Sequence, residues 1–204
     1  PGLIVTRTNG QPGSEGLGIQ IRGATTANGS VDPLIILDGV TVPAITLQTM
    51  NQNDIESISI LKDAAAAAIY GAQAAGGVIL ITSKKGKAGK TVVDFNSSTV
   101  FEQVTGIPDL QFDYGTVGGD LNWSKVKGNY KKDYVKDFFQ TGSIATNSIN
   151  VSGGNNQTTA YFSYSNITSK GAMPTNTYGK NTITLNQSTK LFNDKITLSS
   201  NTFL

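Results

Sequence analysis

Residues 53–89, NDIESISILKDAAAAAIYGAQAAGGVILITSKKGKAG, constrain the fold more than any other part of the chain. They read as strand, short alanine helix, glycine break, second strand and basic turn. Ile58 and Ile60 alternate with Ser57 and Ser59, the period of a half-buried strand. Asp63 opens the alanine run, where a carboxylate can satisfy free helix amides and complement the helix dipole. Gly71, Gly76 and Gly77 end or interrupt that helix. Val78 to Ile81 is a continuous apolar run, as in a strand covered on both faces. Lys84, Lys85, Lys87 and Lys90, with Gly86 and Gly89, form a solvated turn.

From residue 91 the pattern changes to serine, threonine, asparagine and aromatics in strict alternation. Val93, Phe95 and Phe101 share one face, and Asp94, Asn96 and Ser98 the other. Ile149 and Val151 oppose Ser148, Asn150 and Ser152; Phe162 and Tyr164 oppose Ser163 and Ser165. Ile183, Leu185 and Leu191 oppose Thr184, Asn186 and Ser188; Ile196 and Leu198 oppose Thr197, Ser199 and Asn201. Each run is about 10 residues, the length of a tilted membrane strand. A soluble sandwich alternates in the same way. The connections separate the two: they run very long, short, medium, short, as in a membrane barrel with short periplasmic turns and longer external loops.

These segments resemble TonB-dependent outer-membrane receptors, and most closely the SusC/RagA-like group. The resemblance rests on IQIRG at 19–23, PLIILDGV at 33–40, the DIESISILKDA and AIYG pieces of the 53–89 stretch, and its GVILITSKKGK exit. It continues in YVKDFFQTG at 134–142, INVSGG and YFSYSNITSKG. Ala67, Gln73 and Gly76 depart slightly from the family pattern. The implied fold is an α+β plug domain followed by antiparallel β-strands of an incomplete transmembrane β-barrel. Residues 1–90 would be the C-terminal part of the plug. Residues 91–204 would be about five opening strands, with a long first external loop at 102–144. The family barrel has about 22 strands around a plugged lumen.

The resemblance implies import of oligosaccharides or peptides across the outer membrane of a Gram-negative cell of the Bacteroidetes, with the plug gating the lumen. It also implies a SusD-like surface lipoprotein as partner, and TonB, acting through a segment expected to precede these residues. Asp94, Asn96 and Ser98 would then meet the plug, and Val93, Phe95 and Phe101 outer-membrane lipid. The chain opens at Pro1-Gly2-Leu3 and ends within a strand-like pattern at Phe203-Leu204, so it is expected to be a piece of a longer secreted protein.

Candidate ligand and locking residues follow. The external loop is long enough to expect function, and Tyr114 and Trp123 offer aromatic planes suited to sugar rings. Tyr130, Tyr134 and Phe138 recur every four residues, first of all a packing stripe. Arg22 could pair with a carboxylate of the lumen wall or of the plug itself, and Asp94 faces the lumen, so the two are candidates for locking plug to barrel.

Other chemistry finds little support. With no cysteine and no histidine, the chain lacks a thiol nucleophile, the usual general base and the usual transition-metal ligand. Net charge is only +2, so no nucleic-acid partner is expected. Gly89-Lys90-Thr91 imitates a phosphate-binding loop, but a strand follows where a helix is required. Asp32, Asp38, Asp54, Glu56 and Asp63 show no organised acid/base or calcium pattern. Asp38-Gly39 fits a hairpin turn and Asn53-Asp54 a turn before a strand. No enzyme activity, cofactor or metal is expected. The alternatives are a soluble β-rich carbohydrate- or peptide-binding module and, more distantly, a secreted hydrolase.

Overall fold

The computed structural model describes residues 3–7, 13, 16–21, 32–62, 68–74, 76–106, 111–115, 124–128 and 134–204. Arg22, Asp63, Trp123 and Tyr130 lie outside the described residues. Two short strands, β1 (Ile4–Arg7) and β2 (Leu17–Gln20), pair antiparallel. A mixed sheet follows, in the order β4-β3-β6-β5. It contains β3 (Leu34–Leu37), β4 (Val40–Val42), β5 (Ile55–Leu61) and β6 (Val78–Ser83). β3 and β6 run parallel at its centre.

Asp38 and Gly39 form the turn between β3 and β4, and both have positive φ, 49° and 89°. This is the two-residue hairpin geometry that Asp-Gly favours, because its twist matches that of the strands. β6 is covered on both faces, as its unbroken apolar run requires. Ile79 and Ile81 join Ile19, Ile21, Ile35, Leu37 and Met50 in one cluster, and Val78 joins Ile36 and Ala74 in another. β5 departs from the half-buried expectation: Ile60 packs on the first cluster, but Ile58 is 56% exposed. β5 is an edge strand, and only its two ends, at Ile55 and at Ile60-Leu61, are half-buried.

The second half is a five-stranded antiparallel meander in simple order. Its strands are β7 (Gly89–Glu102), β8 (Gly142–Gly154), β9 (Thr158–Lys170), β10 (Thr177–Leu191) and β11 (Ile196–Phe203). Gly89 and Lys90 lie in β7, so no helix stands behind the phosphate-loop imitation. The connections keep the expected long, short, medium, short order. A short helix, Tyr134–Phe138, precedes β8, and the rings of Phe138 and Phe139 meet edge-on at 5.3 Å.

The two faces of this sheet are the inverse of a soluble one. Ser148, Asn150, Ser163, Ser165, Thr182, Thr184 and Asn186 are buried, whereas Phe95, Phe162, Tyr164, Ile183, Leu185 and Leu198 are exposed, Phe95 to 68%. A soluble sandwich would put the second set inside.

Candidate functional site: the seam between plug and wall

The polar face is buried because the first half packs on it. The seam is built from short plug segments and from every second residue of β8 to β11. A 3-10 turn, Gln52–Asp54, presents Asn51, Asn53 and Asp54 to the wall. The Asn53 side-chain amide donates to Ser148 Oγ at 2.8 Å, and that of Asn51 to Ser163 Oγ at 3.2 Å and Asp54 Oδ1 at 3.1 Å. The Tyr161 hydroxyl donates to Asp54 Oδ1 at 2.9 Å. The short helix Ile45–Thr49 leaves its last carbonyls unpaired, as helix ends do. Lys180 Nζ donates to Gln48 O at 2.9 Å and Thr182 Oγ1 to Thr49 O at 3.3 Å, so the wall caps a plug helix.

A second knot sits at the end of β6. Asp38 Oδ1 accepts from the Ser83 amide at 3.0 Å, and its Oδ2 accepts from Ser83 Oγ and from Asn201 Nδ2, the latter at 2.9 Å. Asn186 Nδ2 donates to Ser83 Oγ at 3.0 Å and to Lys84 O at 2.7 Å. The hairpin turn that fixes β3 and β4 thus also ties the plug to β10 and β11. Two residues on, Gly86 lies against β9 so closely that a Cβ would clash with the backbone nitrogen and oxygen of Ala160. Phe203 supplies an apolar contact from the wall to the first core cluster.

The arrangement docks the first half of the chain on the polar face of the meander. Its polar groups pair mostly with one another. Asp54 and Asp38, possible acid/base residues on sequence alone, serve as acceptors for wall donors. Asp94 stands opposite Asn150 on the polar face of β7 and is exposed, as are Asn96 and Ser98. The described plug contacts come from β8 to β11 instead. Tyr114 is 42% exposed, with its backbone held by Gln111. Sequence reading missed Tyr161. Its signal was a single aromatic, in YFSYS, on the face that otherwise carries small polar residues.

Residues 1–78 match the family model described as TonB-dependent Receptor Plug Domain. Together with that plug docked on the polar face of an antiparallel meander, the match defines the class: the chain belongs to the TonB-dependent receptors. It is 31% identical, over 98% of its length, to the TonB-dependent receptor SusC of Bacteroides thetaiotaomicron. It is 33% identical, over 78% of its length, to the TonB-dependent receptor P3 of Formosa agariphila. The solved RagAB peptide transporter superposes over 98% of the chain with a TM-score of 0.80 and 26% identity. Within its class the chain is therefore a member of the SusC/RagA-like group. It spans 21% of SusC, 16% of P3 and 27% of the solved transporter chain.

Proposed function

We propose that the receptor carrying this chain imports oligosaccharides or peptides across the outer membrane of a Gram-negative cell of the Bacteroidetes. Residues 1–90 supply plug and residues 91–204 the opening of the barrel. The observation that carries this reading is the inverted sheet: polar side chains buried against the plug, apolar side chains facing outward. Such a surface suits lipid outside and a removable polar stopper inside. The hydrogen-bonded seam holds the stopper without covalent bonds, and force applied through TonB would break it. The mechanism is gated binding and release, with no bond chemistry and no cofactor.

A SusD-like surface lipoprotein would present the ligand from outside. Similarity to a RagAB peptide importer supports peptides as one ligand class. Oligosaccharides remain the other, on the family resemblance alone. Tyr114 and Trp123 are the proposed ligand contacts in the 102–144 loop. Arg22 and Asp94 are proposed to add to the plug–barrel lock.

Uptake of labelled peptide and oligosaccharide mixtures by cells expressing the full-length receptor, with and without TonB, tests this. The expected result is uptake of one class that stops when TonB is removed. Uptake of neither class, or uptake indifferent to TonB, would overturn the reading.

A further inference from the structure

Two plug carboxylates meet the same wall and are treated in opposite ways. Asp38 has both oxygens engaged, by the Ser83 amide and hydroxyl and by Asn201. Asp54 is far more deeply buried, 1% exposed, yet both of its side-chain donors, Asn51 and Tyr161, converge on Oδ1. Among the described residues its buried Oδ2 has no hydrogen-bond partner. Among the described residues no lysine pairs with it. We propose that Asp54 is the built-in weak point of the plug–wall seam, the contact arranged to yield first when the plug is displaced. The inference rests on the gated-transport reading above and adds the residue that sets how firmly the gate is held.

The physical reason is the cost of a buried, half-satisfied carboxylate. Removing such a group from water is expensive unless its lone pairs are filled and its charge is paired. At Asp54 the seam returns only part of that cost, so water entering the seam recovers hydration that the closed state withholds. At Asp38 the protein already fills both oxygens, and the orphaned atom of that knot, Asn186 Oδ1, is neutral, so wetting gains less. The Tyr161–Asp54 bond is therefore held in place by its neighbours more than by its own net strength. The surrounding bonds, Asn53 to Ser148 and Asn51 to Ser163, join neutral partners and carry no such penalty.

The two sites predict opposite signs on removal of charge. Asp54→Asn keeps an oxygen for Tyr161 and Asn51 and replaces the orphaned, charged oxygen by a neutral amide. It should tighten the seam. Asp38→Asn takes an acceptor from a knot that used it and should loosen the seam.

Hydrogen–deuterium exchange on the purified full-length receptor in detergent reads this without ligand or energy source. Its failure is thus distinct from failure of the transport reading, which uptake tests. The reporter amides are those of Asn53 and Asp54, which bond to Asn51 Oδ1 and Asn51 O, and of Lys84, which bonds to Asp54 O. Asp54→Asn is expected to slow their exchange on the order of threefold or more, and Asp38→Asn to speed it. Unchanged or faster exchange in Asp54→Asn overturns the proposal. So does failure of that variant to fold, because the proposal requires the charge to be a cost.

Discussion

Tyr161 on β9 donates its hydroxyl to the Asp54 carboxylate of the plug at 2.9 Å, and the two are 2% and 1% exposed. One bond therefore joins residues 107 positions apart in sequence across the boundary between plug and wall. Tyr161 is also the largest fully buried side chain of the wall's polar face. Its ring fills space between sheet and plug while its tip meets the one acidic side chain of the 3-10 turn.

Tyr161→Phe should keep the packing and remove the donor. Among the described residues, Asp54 Oδ1 would then retain the Asn51 amide alone. A cost of about 1–3 kcal/mol to plug docking is expected, as for any buried acceptor deprived of a partner. Faster hydrogen exchange at residues 51–54, with an unchanged barrel melting temperature, would show the effect to be confined to the seam. Unaltered exchange would mean the bond carries no weight there.

Asp38 has two roles that substitution can separate. Asp38→Gly retains a residue at ease with φ 49° and deletes the carboxylate that binds Ser83 and Asn201. Asp38→Ala deletes both the carboxylate and the conformational tolerance. Chemical denaturation should rank wild type above glycine and glycine above alanine, with the last two separated by roughly 1–2 kcal/mol. Equal stability of the two variants would argue against a strained turn.

Gly86→Ala should disturb assembly out of proportion to its size. The added methyl would meet the backbone of Ala160, which cannot rotate away as a side chain would. Overpacking of this kind costs about 1–3 kcal/mol. A lower melting temperature of the full-length receptor checks it, and Ala88→Gly, in an exposed position nearby, serves as the contrasting control.

Phe95→Lys places a charge on the outward face of β7. In a lipid-facing strand the cost is about 2–4 kcal/mol near the bilayer midplane. Asn96→Lys, on the opposite face, should cost far less. Refolding into phospholipid vesicles distinguishes them, and equal tolerance at both positions would contradict a lipid-facing surface.

Much of this was legible in sequence because period-two alternation specifies the faces of a strand locally. The meander β7 to β11 and the split of Phe95 from Asp94 follow from neighbouring residues alone. So does the Asp38-Gly39 turn, since few residue pairs tolerate two consecutive positive φ angles. Burial of the β6 run was equally plain. Ile58 shows the limit: its alternation is correct, yet its exposure depends on β5 being an edge.

The seam itself was hidden. Asn53, Asp54 and Asn186 looked like turn and strand-face polar residues, and nothing local distinguishes a serine that meets water from one that meets a plug. By itself the sequence determined which residues would turn, which would extend, and which side of each strand would be polar, because these are set by steric and periodic rules a few residues in range. Only the tertiary structure decided which polar residues are buried: Ser148, Ser163 and Asn186 are, whereas Asp94, Asn96 and Ser98 stay exposed. Whether a polar group is buried depends on what lies opposite, and here the opposing surface comes from residues up to 163 positions away, where Asn201 meets Asp38.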